Sequence, residues 1–187
     1  MKSLGVILGA LGLIVVLGIV SVVGFYNGLI TKTTNIDGQW AQVETQYQRR
    51  FDLIPNLVNT VKGLFAQEQT VFGDIAEART RYSGAVTVDD KAAAAGELEG
   101  ALARLLVIVE SYPEIKSDTA VTGLMDELAG TENRVSVERR RFNDLVKEYN
   151  TVIKRIPGSL IAPLLGFSER AFFEAVEGSD VAPEVEF

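Results

Sequence analysis

Residues 4–25 read LGVILGALGLIVVLGIVSVVGF, an unbroken apolar run without a charged side chain. As an α-helix, this run would extend about 33 Å at roughly 1.5 Å per residue, slightly more than the hydrocarbon thickness of a bilayer, about 30 Å. It is longer than the apolar core of a secretory signal, and Val22-Val23-Gly24 makes a poor cleavage site. The sequence therefore predicts a retained transmembrane anchor. Residues 1–30 form the anchor and its exit, and the lipid bilayer is the partner of residues 4–25.

Few charges flank the anchor, so the prediction of its orientation depends on a small difference in basic charge between its two ends. Lys2 and the terminal amine precede the apolar run, whereas Lys32 is the basic residue that follows it closely. Because basic residues are retained on the cytoplasmic side, this balance favours a single-pass cell-membrane protein with its domain outside the cytoplasm. The spacing of Gly5 and Gly9 indicates either self-association of the anchor or the ordinary abundance of glycine in membrane helices.

The composition of the chain excludes several classes of function. Its 187 residues carry a net charge of −7, and they include no cysteine and no histidine. An acidic chain lacks the dense cationic surface that nucleic acid binding needs. Without cysteine and histidine, thiol catalysis, the Ser-His-Asp arrangement and the usual zinc sites are excluded. We therefore expect no enzyme, no catalytic residue, no metal site, no cofactor and no nucleic acid partner.

The first predicted helix after the anchor covers residues 36–82. Apolar side chains recur there at alternating spacings of four and three, a period typical of coiled coils and helical bundles. Ser83-Gly84 ends this pattern. Pro55 lies inside it, and we expect a kink at this position or, alternatively, the first residue of a new helix.

Two further helices are predicted from the same period. The second begins near Asp89, which caps it, and Pro113 prevents its continuation. The third begins near Ser117 and carries its apolar seam as far as Ile156, where Pro157-Gly158 stops it. Short connections between the helices require antiparallel neighbours.

The fold class that follows is all-α, with no segment typical of a strand. We expect a single N-terminal transmembrane helix followed by an antiparallel bundle of three long helices plus a short C-terminal helix. The bundle covers residues 31–175, which end with an apolar loop at 159–167 and a helix candidate, SERAFFEAV, at 168–176. The acidic tail, residues 176–187, is expected to be disordered.

The predicted helices differ in length, at about 70, 36 and 60 Å. The membrane-proximal part of the first helix, residues 36–57, therefore lacks cover from the second. Three partners could bury it: the C-terminal segment, a second copy of the chain, or the membrane interface. We favour the C-terminal segment, with self-association next. The apolar side chains of the C-terminal segment that could provide this cover are Leu164, Phe167, Phe172 and Phe173.

Polar side chains interrupt the apolar seams at four positions: Arg50, Glu68, Thr131 and Glu138. One interpretation is a buried contact between Arg50 and Glu138, or a polar site that fixes helix register or binds a small molecule. The other is that these residues lie at the seam edge with their polar groups in water. Arg140, within the basic cluster 139–141, could meet a phosphate, an acidic partner or acidic neighbours. Arg50, Glu68, Glu138 and Arg140 are thus the candidate polar or partner site.

Three segments resemble the LemA family: RRFDLIPNLVNTVKG at 49–63, ARLLVIVESYPEIKSD at 103–118, and TENRVSVERRRFNDLVKEYNTVIKRIPGSLIA at 131–162. The resemblance covers nearly all of the chain beyond the anchor. It implies a membrane-attached antiparallel helical bundle of bacteria. It implies no established activity and no set of catalytic residues.

Two functions are compatible with these observations. The first is a non-enzymatic, membrane-anchored scaffold or interaction module, which presents helical surfaces to further copies of itself or to other envelope proteins. The second is a membrane-tethered sensor or ligand-binding bundle, which holds a small anionic molecule near Arg50 and Glu138.

Overall fold

The computed structural model describes residues 2–62, 69–113 and 118–173, and within these ranges the chain is helical without a strand. This confirms the all-α fold class, with an apolar N-terminal helix, a bundle and a short helix near the C-terminus. Glu68 and the acidic tail lie outside the described residues. The elements are α1 (Lys2–Lys62), α2 (Gln69–Gly84), α3 (Val88–Ser111), α4 (Thr119–Lys154), α5 (Gly158–Ile161) and a 3₁₀ turn (Pro163–Leu165).

Helix α1 joins the apolar run to the bundle without a break. Among the described residues, it contains the one segment long and apolar enough to span a membrane, and none of that segment is buried against the rest of the chain. From Leu29 onward, α1 buries one face at heptad spacing, with Ile36, Val43 and Leu57 all almost fully covered. The helix is therefore apolar on all sides in its first part and amphipathic in its second.

The prediction of one helix over residues 36–82 is wrong. The ring of Tyr82 lies 5.1 Å from that of Tyr47 and 4.8 Å from that of Phe51. In one straight helix, residues 47 and 82 would be about 52 Å apart. Helix α2 therefore runs antiparallel to α1, and within the described residues four helices, rather than three, build the bundle. Helix α1 continues through Pro55, so the alternative that a new helix begins there is also wrong.

The beginnings of α3 and α4 are set by side-chain caps. Thr87 caps α3 by accepting a hydrogen bond from the backbone N–H of Asp90, at 3.1 Å. The predicted cap, Asp89, instead lies in the first helical turn, where its charge favours the helix dipole. Asp118 caps α4 by accepting from the N–H of Ala120 and Val121, at 2.7 and 3.3 Å, close to the predicted start.

Both of these helices end close to where the sequence predicts. Helix α3 ends at Ser111, before Pro113. Helix α4 ends at Lys154, and Ile156 is 81% exposed, so the predicted last member of its seam is wrong.

The bundle packs in an up-down-up-down order. Arg81 of α2 pairs with Glu97 of α3, and Arg104 pairs with Asp74, as expected for antiparallel neighbours. Helix α4 lies antiparallel along α1, so that Lys32 near the apolar run meets Glu148 near the end of α4. The part of α1 that follows the apolar run, including the membrane-proximal residues 36–57, is therefore covered largely by α4.

The C-terminal segment completes this cover, as expected, but not as a helix. Residues 168–173 have no helical or strand assignment, so the predicted helix over SERAFFEAV is wrong in its described part. The Phe173 ring is buried 5.9 Å from Trp40, and the Phe167 ring lies 5.6 Å from Tyr26. Leu164 does not contribute to this cover, because it is 86% exposed, and Phe172 is only partly covered, at 40% exposed.

Candidate functional site

A cluster of charged side chains lies in the middle of the bundle, between α1, α3 and α4. Arg50 occupies the heptad position between Val43 and Leu57, so α1 directs it inward, and it is only 6% exposed. Its guanidinium pairs with Glu132 of α4 and lies 3.8 Å from the carboxylate of Glu99 on α3. A buried guanidinium needs such partners to offset its lost hydration.

Arg139 is the second cation of the cluster, and the sequence interpretation did not single it out. It pairs with Glu99, and its guanidinium lies 5.3 Å from the centre of the Tyr47 ring and 4.5 Å from that of Phe173. The Tyr47 hydroxyl donates to Glu99 over 3.4 Å. Glu99 thus links three elements of the bundle. Its position next to Leu98 and one turn before Leu102, both in the buried face of α3, was the sequence signal for it.

The predicted contact between Arg50 and Glu138 is wrong. Glu138 accepts a hydrogen bond of 2.6 Å from the side-chain amide of Gln39, and it pairs with Arg141 at 2.8 Å. It lies almost two turns along α4 from Glu132, so it forms a separate contact with α1. Arg140 is exposed. Of the three predicted residues that the structure describes, Arg50 alone belongs to the central cluster, and Glu68 lies outside the described residues.

Burial changes the proton affinity of this cluster. Desolvation raises the pKa of Glu99 to about 7; the nearby Glu132 carboxylate adds to this shift and Arg50 opposes it. Desolvation also lowers the pKa of Arg139 to about 10. Within the described residues, the Nε atoms of Arg50 and Arg139 are buried without a hydrogen-bond partner. At neutral pH the Glu99 carboxyl is therefore partly protonated, whereas the Arg139 guanidinium stays charged.

A cavity of about 300 Å³ lies beside this cluster. Arg50, Glu132 and Asn133 supply its polar lining, and leucines of α1, α3 and α4 supply much of the apolar remainder. The volume is at the lower end of the range for small-molecule pockets, about 300–1,000 Å³. Among the described residues, no group of three acidic side chains is arranged to hold a metal ion.

A second polar feature, absent from the sequence interpretation, ties the C-terminal segment to α4. Asn150 donates to the carbonyl of Arg170 (2.8 Å) and accepts from its N–H (3.0 Å). Asn143 makes the same pair of bonds to Phe173, at 2.9 and 2.8 Å. Seven helical residues rise about 10.5 Å, which matches three extended residues at about 3.4 Å each. The sequence signal was two asparagines at heptad spacing on a packed face of α4.

Comparisons with known proteins give two results. The model of the family described as LemA matches residues 39–187. Magnetosome proteins MamQ 1 and MamQ 2 of Paramagnetospirillum magneticum (strain ATCC 700264 / AMB-1) are each 25% identical to this chain, over 92% of it and 75% of their own length. Magnetosome protein MamQ of Magnetospirillum gryphiswaldense is 24% identical, over 95% of this chain and 78% of its own length. The similarity therefore extends well beyond any one helix.

Proposed function

The chain belongs to the LemA family, whose model covers residues 39–187, and from this premise we propose that it is a non-enzymatic scaffold or interaction module of the bacterial envelope. In this proposal, residues 4–25 span the bilayer once and the bundle lies outside the cytoplasm. The similar proteins are named magnetosome proteins, and this similarity supports a membrane-associated helical protein.

The observation that carries the proposal is the continuity of α1. One helix, Lys2–Lys62, contains both the exposed apolar segment and the seam around which the bundle packs. A bundle attached in this way cannot rotate freely about a flexible linker. From Phe25 to Lys62, α1 rises about 55 Å, so it holds the bundle surface at a defined height above the bilayer.

A non-enzymatic role fits the chemistry of the polar cluster. The chain has no histidine and no cysteine. The central carboxylates, Glu99 and Glu132, pair with arginines rather than converging on an open site. Such pairs fix the register of packed helices, because only one alignment of α1, α3 and α4 satisfies them.

Two experiments test this proposal, and the first uses the absence of native cysteine. Val86 is 90% exposed in the connection between α2 and α3. A membrane-impermeant maleimide should label Val86→Cys in intact cells; labelling only after lysis would refute the orientation.

The second experiment tests the partner. A photo-crosslinking amino acid in place of Val107, which is 64% exposed on α3, should yield an adduct with another copy or with an envelope protein, to be identified by mass spectrometry. The same should hold at Val137, an exposed position on α4. Native membranes that yield no adduct from either position would contradict a scaffold role.

The cavity beside Arg50 favours a second candidate function, a membrane-tethered ligand-binding bundle. Its apolar lining and the unpaired Arg50 Nε suit a short amphiphile with one carboxylate. Octanoate can be titrated into the chain in nanodiscs, with empty nanodiscs as the blank. Ala129→Trp, at the exposed rim of the cavity, should abolish binding, whereas Ala93→Trp, exposed on α3 and outside the lining, should not. Equal binding by both variants would remove this candidate.

A further inference from the structure

Three large apolar side chains are exposed together in the sequence that follows α4. Ile156 is 81% exposed, Leu160 is 67% exposed and Leu164 is 86% exposed. They belong to one short stretch around α5 and the 3₁₀ turn, and we call them the apolar end patch. Several large apolar side chains exposed together on a water-soluble surface usually mark a contact site.

The apolar end patch lies at the end of the bundle nearest to the anchor. Phe167 packs on Tyr26, which directly follows the apolar run. From there the chain leads away from the anchor, because Arg170 bonds to Asn150 and Phe173 bonds to Asn143, progressively farther along α4. Residues 156–165, which precede Phe167, therefore form the turn at the membrane-facing end.

The position of this turn is fixed by close packing. Gly158 lies so near to α4 that a Cβ atom would come within 2.1 Å of the Val152 carbonyl oxygen. Ala162 is almost fully buried. The backbone of the turn is thus held against the bundle, and this leaves the side chains of Ile156, Leu160 and Leu164 directed away from it.

We propose that the apolar end patch inserts into the bilayer interface beside the anchor, as a second lipid contact of the bundle. The exposed Arg155, next to Ile156 in the chain, would meet lipid phosphates in this arrangement. A bilayer is the occupant that suits the site, because the patch adjoins the point where α1 leaves the apolar run. Two lipid contacts, the anchor and the patch, would set the tilt of the bundle as well as its height.

This inference rests on the proposed membrane anchor, and site-specific fluorescence can test the two separately. A single cysteine replaces either Leu160 or Leu164, and each cysteine carries an environment-sensitive fluorescent label. The labelled protein is reconstituted in phosphatidylcholine vesicles with or without nitroxide lipid. Val15→Cys reports the anchor. Val107→Cys is the control, because the adjacent Leu106 lines the same cavity as Leu57, which lies about 48 Å along α1 beyond the apolar run. Unchanged helical circular dichroism in each variant verifies folding.

The expected result is a blue-shifted emission and loss of fluorescence to nitroxide lipid at positions 160 and 164, as at 15, with neither effect at 107. Quenching at position 15 with none at 160 and 164 would overturn the inference and leave the anchor intact. No quenching at any position would overturn the anchor as well. A blue shift without lipid quenching, together with disulfide-linked dimers of Leu164→Cys, would assign the patch to a second copy and refute the proposed lipid contact.

Discussion

The extended C-terminal segment should be released by removing one amide from α4. Asn150 is 5% exposed and makes two hydrogen bonds to the backbone of Arg170. Each such bond contributes about 1 kcal/mol net, so Asn150→Ala should lower the free energy of unfolding by about 2 kcal/mol. Adding Asn143→Ala removes the two bonds to Phe173, and the combined loss should approach about 4 kcal/mol.

Trp40 provides a local assay for this release, because it is the only tryptophan in the chain. Its ring lies 5.9 Å from Phe173 and 5.3 Å from Phe142. Release of the segment uncovers Trp40, so its emission should shift to the red before the bundle unfolds in a urea titration followed by circular dichroism. Local opening below the global transition is expected for a segment held by few contacts.

A matched substitution separates the effect of the lost amide hydrogen bonds on stability from the effect of altered helix propensity. Asn133 is exposed on the same helix, and Asn133→Ala changes propensity equally without breaking the bonds to the C-terminal segment. It should alter stability by less than about 0.5 kcal/mol and leave Trp40 emission unchanged. If Asn150→Ala behaves like Asn133→Ala in both measurements, the amide bonds do not hold the segment and this reasoning fails.

Three further outcomes are expected. Gly158→Ala should lower the melting temperature, since its Cβ would meet the Val152 carbonyl oxygen at 2.1 Å, at a cost of about 1–3 kcal/mol; Gly123→Ala, in open space within α4, should instead raise it. Burial raises the pKa of Glu99 from 4.5 in the unfolded chain to about 7 in the folded state. The folded state therefore binds this proton more tightly, and the resulting stabilisation is fully present below about pH 4.5 and lost as the pH rises through 7. Glu99→Gln should therefore show a smaller loss of stability over this pH range than the parent chain in urea titrations, and parallel curves would refute the shift. Arg50→Met should destabilise the bundle by about 3–5 kcal/mol, because it leaves carboxylates without their buried cation; a melting temperature equal to the parent's would show that Arg50 is not a required partner.

Much of the fold was accessible from local patterns. The apolar run, the heptad seams of α3 and α4, and the stops before Pro113 and Pro157 depend on neighbouring residues. Each is confirmed except for the end of the α4 seam, where Ile156 is exposed. The return of the C-terminal segment to cover α1 was also expected, because exposed seam residues require a partner.

The reversal between α1 and α2 was hidden by the same periodicity. Both helices face one core, and their buried positions keep the heptad phase across residues 62–69, so a count of apolar residues cannot distinguish one long helix from two antiparallel ones.

The sequence by itself determined where this protein is apolar, most of its helical segments and that Arg50 occupies a seam position, because these properties follow from residue type and spacing along one helix. That Arg50 is buried was decided by the tertiary structure. Tertiary structure decided which carboxylates meet Arg50 and which backbone groups meet Asn143 and Asn150. Helix direction and register set those pairings. Glu132 and Glu138 are separated by almost two turns of α4, so the register decides which of them meets Arg50. The location of the apolar end patch beside the anchor depends in the same way on packing between residues distant in the chain.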